Sequence, residues 1–406
     1  MYILSLYKDL SWGKSLKKIL AHSIFIVIFL SVFLVLTPID HLDFYTHNKQ
    51  LLSFYDTGYW RPNFLYYFLL ALLSGFSRNI QALGVVAAIL MAGSVYFKWT
   101  ITQNLSLKIF GKSESAICFE HVPLLMLFVF SLPASYNNWY FGQVSPNQWH
   151  NSTTILLMPF SLLLYYHTYS LLIENSRKSF WWVLWLSIMN VLIKPSFLFC
   201  LLPVVGVLFI YNRFRLDWLK KATAFLPAIL MIIAQYVILF IPSLKSATML
   251  SGEEGGVAFS IFHVWGHYSD NILLSLIVSL AFPLAAVIGY GKYLLKEKLF
   301  LYTVSLSAIG LLIFACLTET GSRQFHCNFI WQAIVANYLL YWVSIYFFLK
   351  HTVKSKVSSI TILATIKYYL KKRDFKALVV YSIFLLQCLG GVYYLMRMIV
   401  RNGSYA

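Results

Sequence analysis

The chain has 406 residues, of which 60% are hydrophobic and only 11% charged, and its mean hydropathy is +0.71. That composition excludes a soluble globule, and apolar spans of about 20 residues recur, so an all-α, polytopic transmembrane bundle is expected. The net charge of +18 would suggest nucleic acid in a soluble protein, but here it is assigned to cytoplasmic loops, and no nucleic-acid partner is expected.

In chain order, Lys8, Lys14, Lys17 and Lys18 precede a first span over residues 21–36. Thr37-Pro38-Ile39-Asp40 follows in place of a small-residue cleavage site. A retained helix with a cytoplasmic N-terminus is therefore predicted. Residues 40–63 then lie outside and carry Asp40, His41, Asp43, His47, Asp56, Trp60 and Arg61. Residues 64–76 are apolar but short, as in a juxtamembrane or re-entrant helix. Spans follow at 80–99 (inward), 122–134 (outward) and 154–172 (inward). Two short runs, 180–193 and 197–211, are broken on the outer side by Lys194-Pro195-Ser196, since proline removes a helix donor and clashes with the preceding turn. Further spans are predicted at 222–241, 271–290, 299–317, 329–348 and 377–396. Outer loops fall at 136–153, 242–270 and 318–328, and a basic cytoplasmic loop at 349–376, where residues 360–370 are expected on the lipid surface. The whole is one integral-membrane domain, 1–406, with about eleven spans. Roughly two dozen of the 32 Lys and Arg fall on the predicted cytoplasmic side, the bias of positive-inside topology.

Every unusual polar cluster falls on the opposite, outer side, the periplasmic side if the source is bacterial. The densest is residues 136–153, which contain no Lys, Arg, Asp or Glu. Trp139, Tyr140, Gln143, Asn147, Trp149 and His150 supply aromatic faces and amides of the kind that stack on a sugar ring and bond its hydroxyls. For Trp139 and Tyr140, an interfacial aromatic belt is the competing reading.

On these residues the chain resembles the GT-C superfamily of membrane glycosyltransferases. Gly142-Gln143-Val144-Ser145-Pro146-Asn147 is similar to the Gly-Gln-hydrophobic-Asn/Ser segment of the polyprenyl-phosphate mannosyltransferase-like branch. Lys194-Pro195-Ser196 is similar to the Lys-Pro-small step that follows it there. The resemblance covers most of the chain in topology, through short motifs. It implies a polyprenyl-phosphate sugar donor, a glycan, lipid or protein acceptor, and paired acids in the first outer loop. The nearest match to those acids is Asp40-His41-Leu42-Asp43, more widely spaced than usual.

The residues fit that chemistry on their own account. Sugar transfer needs a carboxylate base and cations at the leaving phosphate. Asp40 and Asp43 are the candidate bases, with Asp56 in reserve; a helix cap is the alternative for Asp40. Lys194 and Arg323 are candidates for the phosphate, joined by His326 and Asn328, although a lone interfacial arginine also binds lipid headgroups. His263 and His267 share a face if helical, but a zinc site needs three or four ligands. No cofactor is expected, and a divalent metal there is the alternative. Glu253 and Glu254, among glycines, suit a loop that closes over substrate. The five cysteines are scattered and form no CxxC pair. There is no Walker loop, no acidic relay within a span and no visible repeat, which weighs against an exporter of lipid-linked saccharide. A polysaccharide polymerase or ligase remains the nearer alternative; it would favour more outward arginines than Arg61, Arg78, Arg323, Arg397 and Arg401.

Overall fold

The computed structural model describes residues 12–110, 121–133, 135–136, 139–140, 144–213, 215–240, 256–353 and 361–401. Glu253, Glu254 and Gln143 lie outside the described residues, as do the side chains of Trp139 and Tyr140. The fold is an all-α bundle carrying only short strand pairs. Among the described residues, seven helices are long and apolar enough to cross a membrane, or eight if one bent pair is a single span.

The chain opens with α1 (Trp12–Leu36), which stops just short of Pro38. Two helices then lie near its end: α2 (Asp43–Thr57) and α3 (Leu65–Leu73). The α2 helix occupies sequence expected to be loop. Its Phe44, Asn48, Leu51 and Phe54 are buried at helical spacing, Asp43 stands in its first turn where a negative charge suits the helix dipole, and Gly58 closes it with φ +70°. A short apolar helix, α3, is therefore present where the juxtamembrane helix was expected, but preceded by a second. The long α4 (Ile80–Phe110) runs back along α1.

The outward span expected at 122–134 is not a helix. Only Val122–Leu125 (α5) is helical, and the chain to residue 133 is irregular. Thirteen residues are too few for a helix to cross about 30 Å, whereas extended chain of that length suffices. The segment climbs beside α17 (Phe375–Val400), the last helix: His121 bonds Tyr381, and Phe130 stacks on Tyr394 with ring centroids 4.1 Å apart. Irregular backbone is tolerated at this depth only where protein satisfies it. Phe130 N donates to Gln387 O (3.0 Å), Leu132 N to Val278 O (3.0 Å), and Asn147 Nδ2 to Met126 O (3.0 Å) and Val129 O (2.6 Å). The approach is close because Gly390 and Gly391 present no side chain: a Cβ on Gly391 would strike Phe128 O, and one on Gly390 would lie 2.6 Å from Ser131 O.

After two short strands, β1 (Ser135–Tyr136) and β2 (Trp139–Tyr140), come α6 (Ser152–Leu172), α7 (Ser179–Ile193) and α8 (Ser196–Tyr211). The break expected at Lys194-Pro195 is present. Lys194 is extended at φ −170°, ψ 117°, and each flanking helix is apolar but short. Then follow α9 (Leu216–Ala222), α10 (Leu226–Phe240), strand β3 (Val257–Phe259) and α11 (His263–Tyr268). The next pair, α12 (Ile272–Ser279) and α13 (Ala281–Leu294), is bent by 71°. Gln387 repairs that break: Phe282 N donates to its Oε1 (2.8 Å), and its Nε2 donates to Val278 O (3.0 Å).

Helix α14 (Lys298–Cys316) leads through strand β4 (Leu317–Glu319), antiparallel to β3, into α15 (Trp331–Thr352). The span containing α15 is wholly buried and forms the axis of the bundle, packed by α14, α8 and α13. Helix α16 (Ile362–Lys372) is amphipathic, with Tyr369 inward and Lys371 and Lys372 in its last turn. The predicted count of about eleven spans is therefore not reproduced, since one expected span is irregular and two are short helices.

Candidate functional site

Four polar segments meet at one end of the bundle: the start of α2, the N-terminus of α6, the α7–α8 break, and the turn before α15. Asp43 and His47 are four apart on α2 and share a face. Asn151 is the N-cap of α6 and accepts from Thr154 N at 2.9 Å. Its amide nitrogen donates to Asp43 Oδ2 at 2.5 Å. From the break, Lys194 Nζ donates to Asn151 Oδ1 (3.3 Å) and Thr154 Oγ1 (3.1 Å), and lies 3.9 Å above the Trp331 ring. Proline makes this possible: it ends the helical run, so the lysine turns sideways toward α6 instead of continuing along a spanning helix.

The other members close around these. His47 Nδ1 shares a 2.5 Å hydrogen bond with Ser152 Oγ. His150 Nδ1 meets the Tyr394 hydroxyl at 3.2 Å, and that hydroxyl donates to Gln148 at 3.1 Å. Tyr67 donates to Gln50 at 2.6 Å, and its hydroxyl lies within electrostatic range of Arg61, Asp43 and Arg323. Arg323 pairs with Glu319 at 3.5 Å, and Asn328 donates to the same carboxylate oxygen at 2.5 Å. Lys194 thus faces the Asp43 carboxylate, and Arg61 and Arg323 lie within electrostatic range of the neighbouring Tyr67 hydroxyl.

The electrostatics follow from burial. Desolvation pushes the Asp43 carboxyl up, but the nearby His150, His47 and Lys194 charges and the Asn151 amide outweigh it and hold the group below the usual range. Burial pushes His47 down to about 4 and lowers His150 as well, so both imidazoles are neutral at neutral pH. Lys194 is the charge that then faces Asp43. Burial brings it down to about 7, against the pull of that carboxylate. Tyr67 is raised to about 12, chiefly by burial.

The sequence candidates separate clearly. Asp43, His150 and Lys194 come together, and Arg323 and Asn328 form the adjoining group. Asp40 does not join them: its side chain is 80% exposed, bonded to His41 at 3.0 Å. It caps nothing, because the N-cap of α2 is Leu42 and makes no side-chain bond. Asp56 is 62% exposed and paired with Arg78 at 2.6 Å. His326 is exposed on the turn after Arg323. Asn147 and Trp149 are buried beneath the site. Lys98 donates to Asn147, and Trp149 stacks on Phe29 at 5.6 Å, so neither faces a ligand at the bundle end. A cavity of about 20 Å³ beside them, room for one water, touches Lys98 and Thr154.

His47, Arg61, Tyr67 and Asn151 were missed as site residues. The four-residue spacing of Asp43 and His47, and the cap pattern at Asn151, were the available signals. His263 and His267 flank Phe325, with His267 stacked on it at 4.0 Å, and no group of three metal-binding side chains occurs among the described residues. The chain matches no family model, no curated protein and no solved structure.

Proposed function

We propose that the protein is a membrane glycosyltransferase that moves a sugar from a polyprenyl-phosphate donor to a hydroxyl of a glycan, lipid or protein acceptor. The observation that carries this reading is the Asp43–Asn151–Lys194 cluster: a carboxylate held ionised, tied through one amide to a cation, at the end of a lipid-embedded bundle. Asp43 takes the acceptor hydroxyl's proton as the oxygen bonds to the anomeric carbon. The bond from that carbon to the phosphate oxygen breaks, and the leaving phosphate gathers negative charge. Lys194, Arg61 and Arg323 supply the opposing charge in a setting shielded from water. The aromatic rings around the site, Tyr67 and Trp331 among them, suit a sugar face. The reading places the site on the outer face of a bacterial plasma membrane, with the N-terminus cytoplasmic, in cell-envelope polysaccharide synthesis.

The test is turnover by purified protein in lipid nanodiscs, offered polyprenyl-phosphate hexoses and nucleotide sugars separately. Release of free polyprenyl phosphate with loss of the lipid-linked sugar is expected. Consumption of nucleotide sugars alone, with every lipid-linked donor intact, would overturn the proposal.

A further inference from the structure

The two oxygens of Asp43 stand in different surroundings, and Asn151 makes the difference. Thr154 N, which can only donate, fixes Asn151 Oδ1 as the acceptor end of the amide, and the Lys194 bond agrees. Nδ2 must therefore face Asp43, where it meets Oδ2 at 2.5 Å. An amide N–H cannot accept a proton, so Oδ2 is held as an unprotonated acceptor. Oδ1 takes no hydrogen bond from the described residues, yet it is not a buried, orphaned atom. It is the oxygen left open to a ligand.

We infer that Asn151 is the positioning residue of this site: it occupies one oxygen of Asp43, turns the other outward as the proton acceptor, and fixes Lys194 at the same amide. One residue thus sets the distance between base and cation. The inference rests on the proposed transfer reaction for its purpose, but not for its test. The groups facing Asp43 are His47 on α2, Tyr67 on α3, His150 before α6, Lys194 at the α7–α8 break, and Arg61 beyond Tyr67. Of these, only Lys194 bonds Asn151 directly, and it keeps its bond to Thr154 Oγ1 when Asn151 is changed.

Two variants separate positioning from capping. Ser and Asp both cap helices about as well as Asn, so Asn151→Ser and Asn151→Asp keep α6. Serine is too short to reach Asp43. Aspartate sets an oxygen against an oxygen, and carboxylates in contact cannot both ionise freely. The readout is protonation of Asp43 in detergent-solubilised protein, followed by its carboxyl infrared band against pH, with Asp43→Asn as the subtraction. Loss of one charge-assisted hydrogen bond should raise the protonation midpoint by about one to two pH units in Asn151→Ser, and by more in Asn151→Asp. An unchanged midpoint in both variants would reduce Asn151 to a helix cap and overturn the inference. Sugar transfer, measured separately, should show an acid limb displaced in the same direction. If the wild-type protein transfers no sugar while the midpoints move, the transferase reading fails and the positioning assignment stands.

Discussion

Replacing Asp43 by Asn separates the three acids of the first polar segment more sharply than any other change. The substitution keeps the shape, and the new amide oxygen can still accept from Asn151 Nδ2. A charge-assisted bond becomes a neutral one, a difference of about 1 kcal/mol. The first turn of α2 loses its acidic group, worth about 0.3–1 kcal/mol at a helix N-terminus. Removing a half-buried charge offsets part of both, so the fold should survive at a cost of about 1–2 kcal/mol. The reaction should not survive so well. General-base catalysis contributes about 10²–10⁴-fold, equivalent to roughly 3–5 kcal/mol of barrier. Asp40→Asn and Asp56→Asn alter exposed groups, one beside His41 and one paired with Arg78, and surface pairs of this kind contribute about 0–1 kcal/mol. Both should transfer sugar at near wild-type rate. The assay is sugar transfer in membranes at matched protein levels, with thermal unfolding in detergent as the control for folding. An Asp43→Asn protein that is folded and retains more than about a tenth of the activity would refute the base assignment. So would a dead Asp56→Asn protein beside an active Asp43→Asn one.

Lys194, brought by burial to about 7, should take up a proton when an anionic headgroup binds beside it. Affinity for polyprenyl phosphate should therefore weaken as pH rises from 7 to 9, and calorimetry in two buffers of different ionisation enthalpy should show proton uptake; pH-independent binding would count against Lys194 as the contact. His47 is neutral in the fold down to about 4 but titrates near 6.5 when unfolded, so the unfolded chain binds the extra proton between those values and stability falls as pH drops through that window, by about 3 kcal/mol when complete. Asp43, held below its ordinary range, acts in the same sense at still lower pH, and a melting temperature unchanged between pH 7 and 4.5 would contradict the His47 assignment. Gly391→Ala should lose folded protein in detergent chromatography, since its Cβ falls on Phe128 O, whereas Gly206→Ala, with open space around it, should not. A cysteine at exposed Asp270 should react with an impermeant reagent in intact cells and one at Lys296 only after lysis; the reverse pattern would invert the proposed orientation.

What the sequence disclosed and what it concealed divide along a physical line. Long apolar runs and the proline at residue 195 report on local chemistry, and the helices and the Lys194 break lie close to where they were expected. The stretch 122–134 misled because apolar composition reports burial, and burial is equally compatible with irregular chain. Its partners, Gln387, Gly390 and Gly391, lie far along the chain, and nothing local announces them. Helix α2 was hidden for the opposite reason: a run with Asp43, His47, Lys49 and Asp56 reads as loop unless its buried face is picked out. Trp149 and Asn147 show the limit of composition. Stacking and amide chemistry identify groups able to hold a sugar, but the same groups also satisfy a core, and here they pack on Phe29 and bind the carbonyls of residues 126 and 129.

The irregular climb from residue 126 to 133 sets an order of events for biosynthesis. Its hydrogen-bond acceptors at Val278 and Gln387 leave the ribosome long after the segment itself. A newly made helix can enter lipid with its backbone already satisfied, but this stretch cannot. Until α17 arrives it must wait in the insertion channel or at the wet surface of the bilayer, with its polar groups still hydrated. The loop carrying His150 and Asn151 hangs from that same stretch. Assembly of the site therefore follows insertion of α17, and a ribosome stalled before residue 391 should leave the preceding helices inserted and the site unformed.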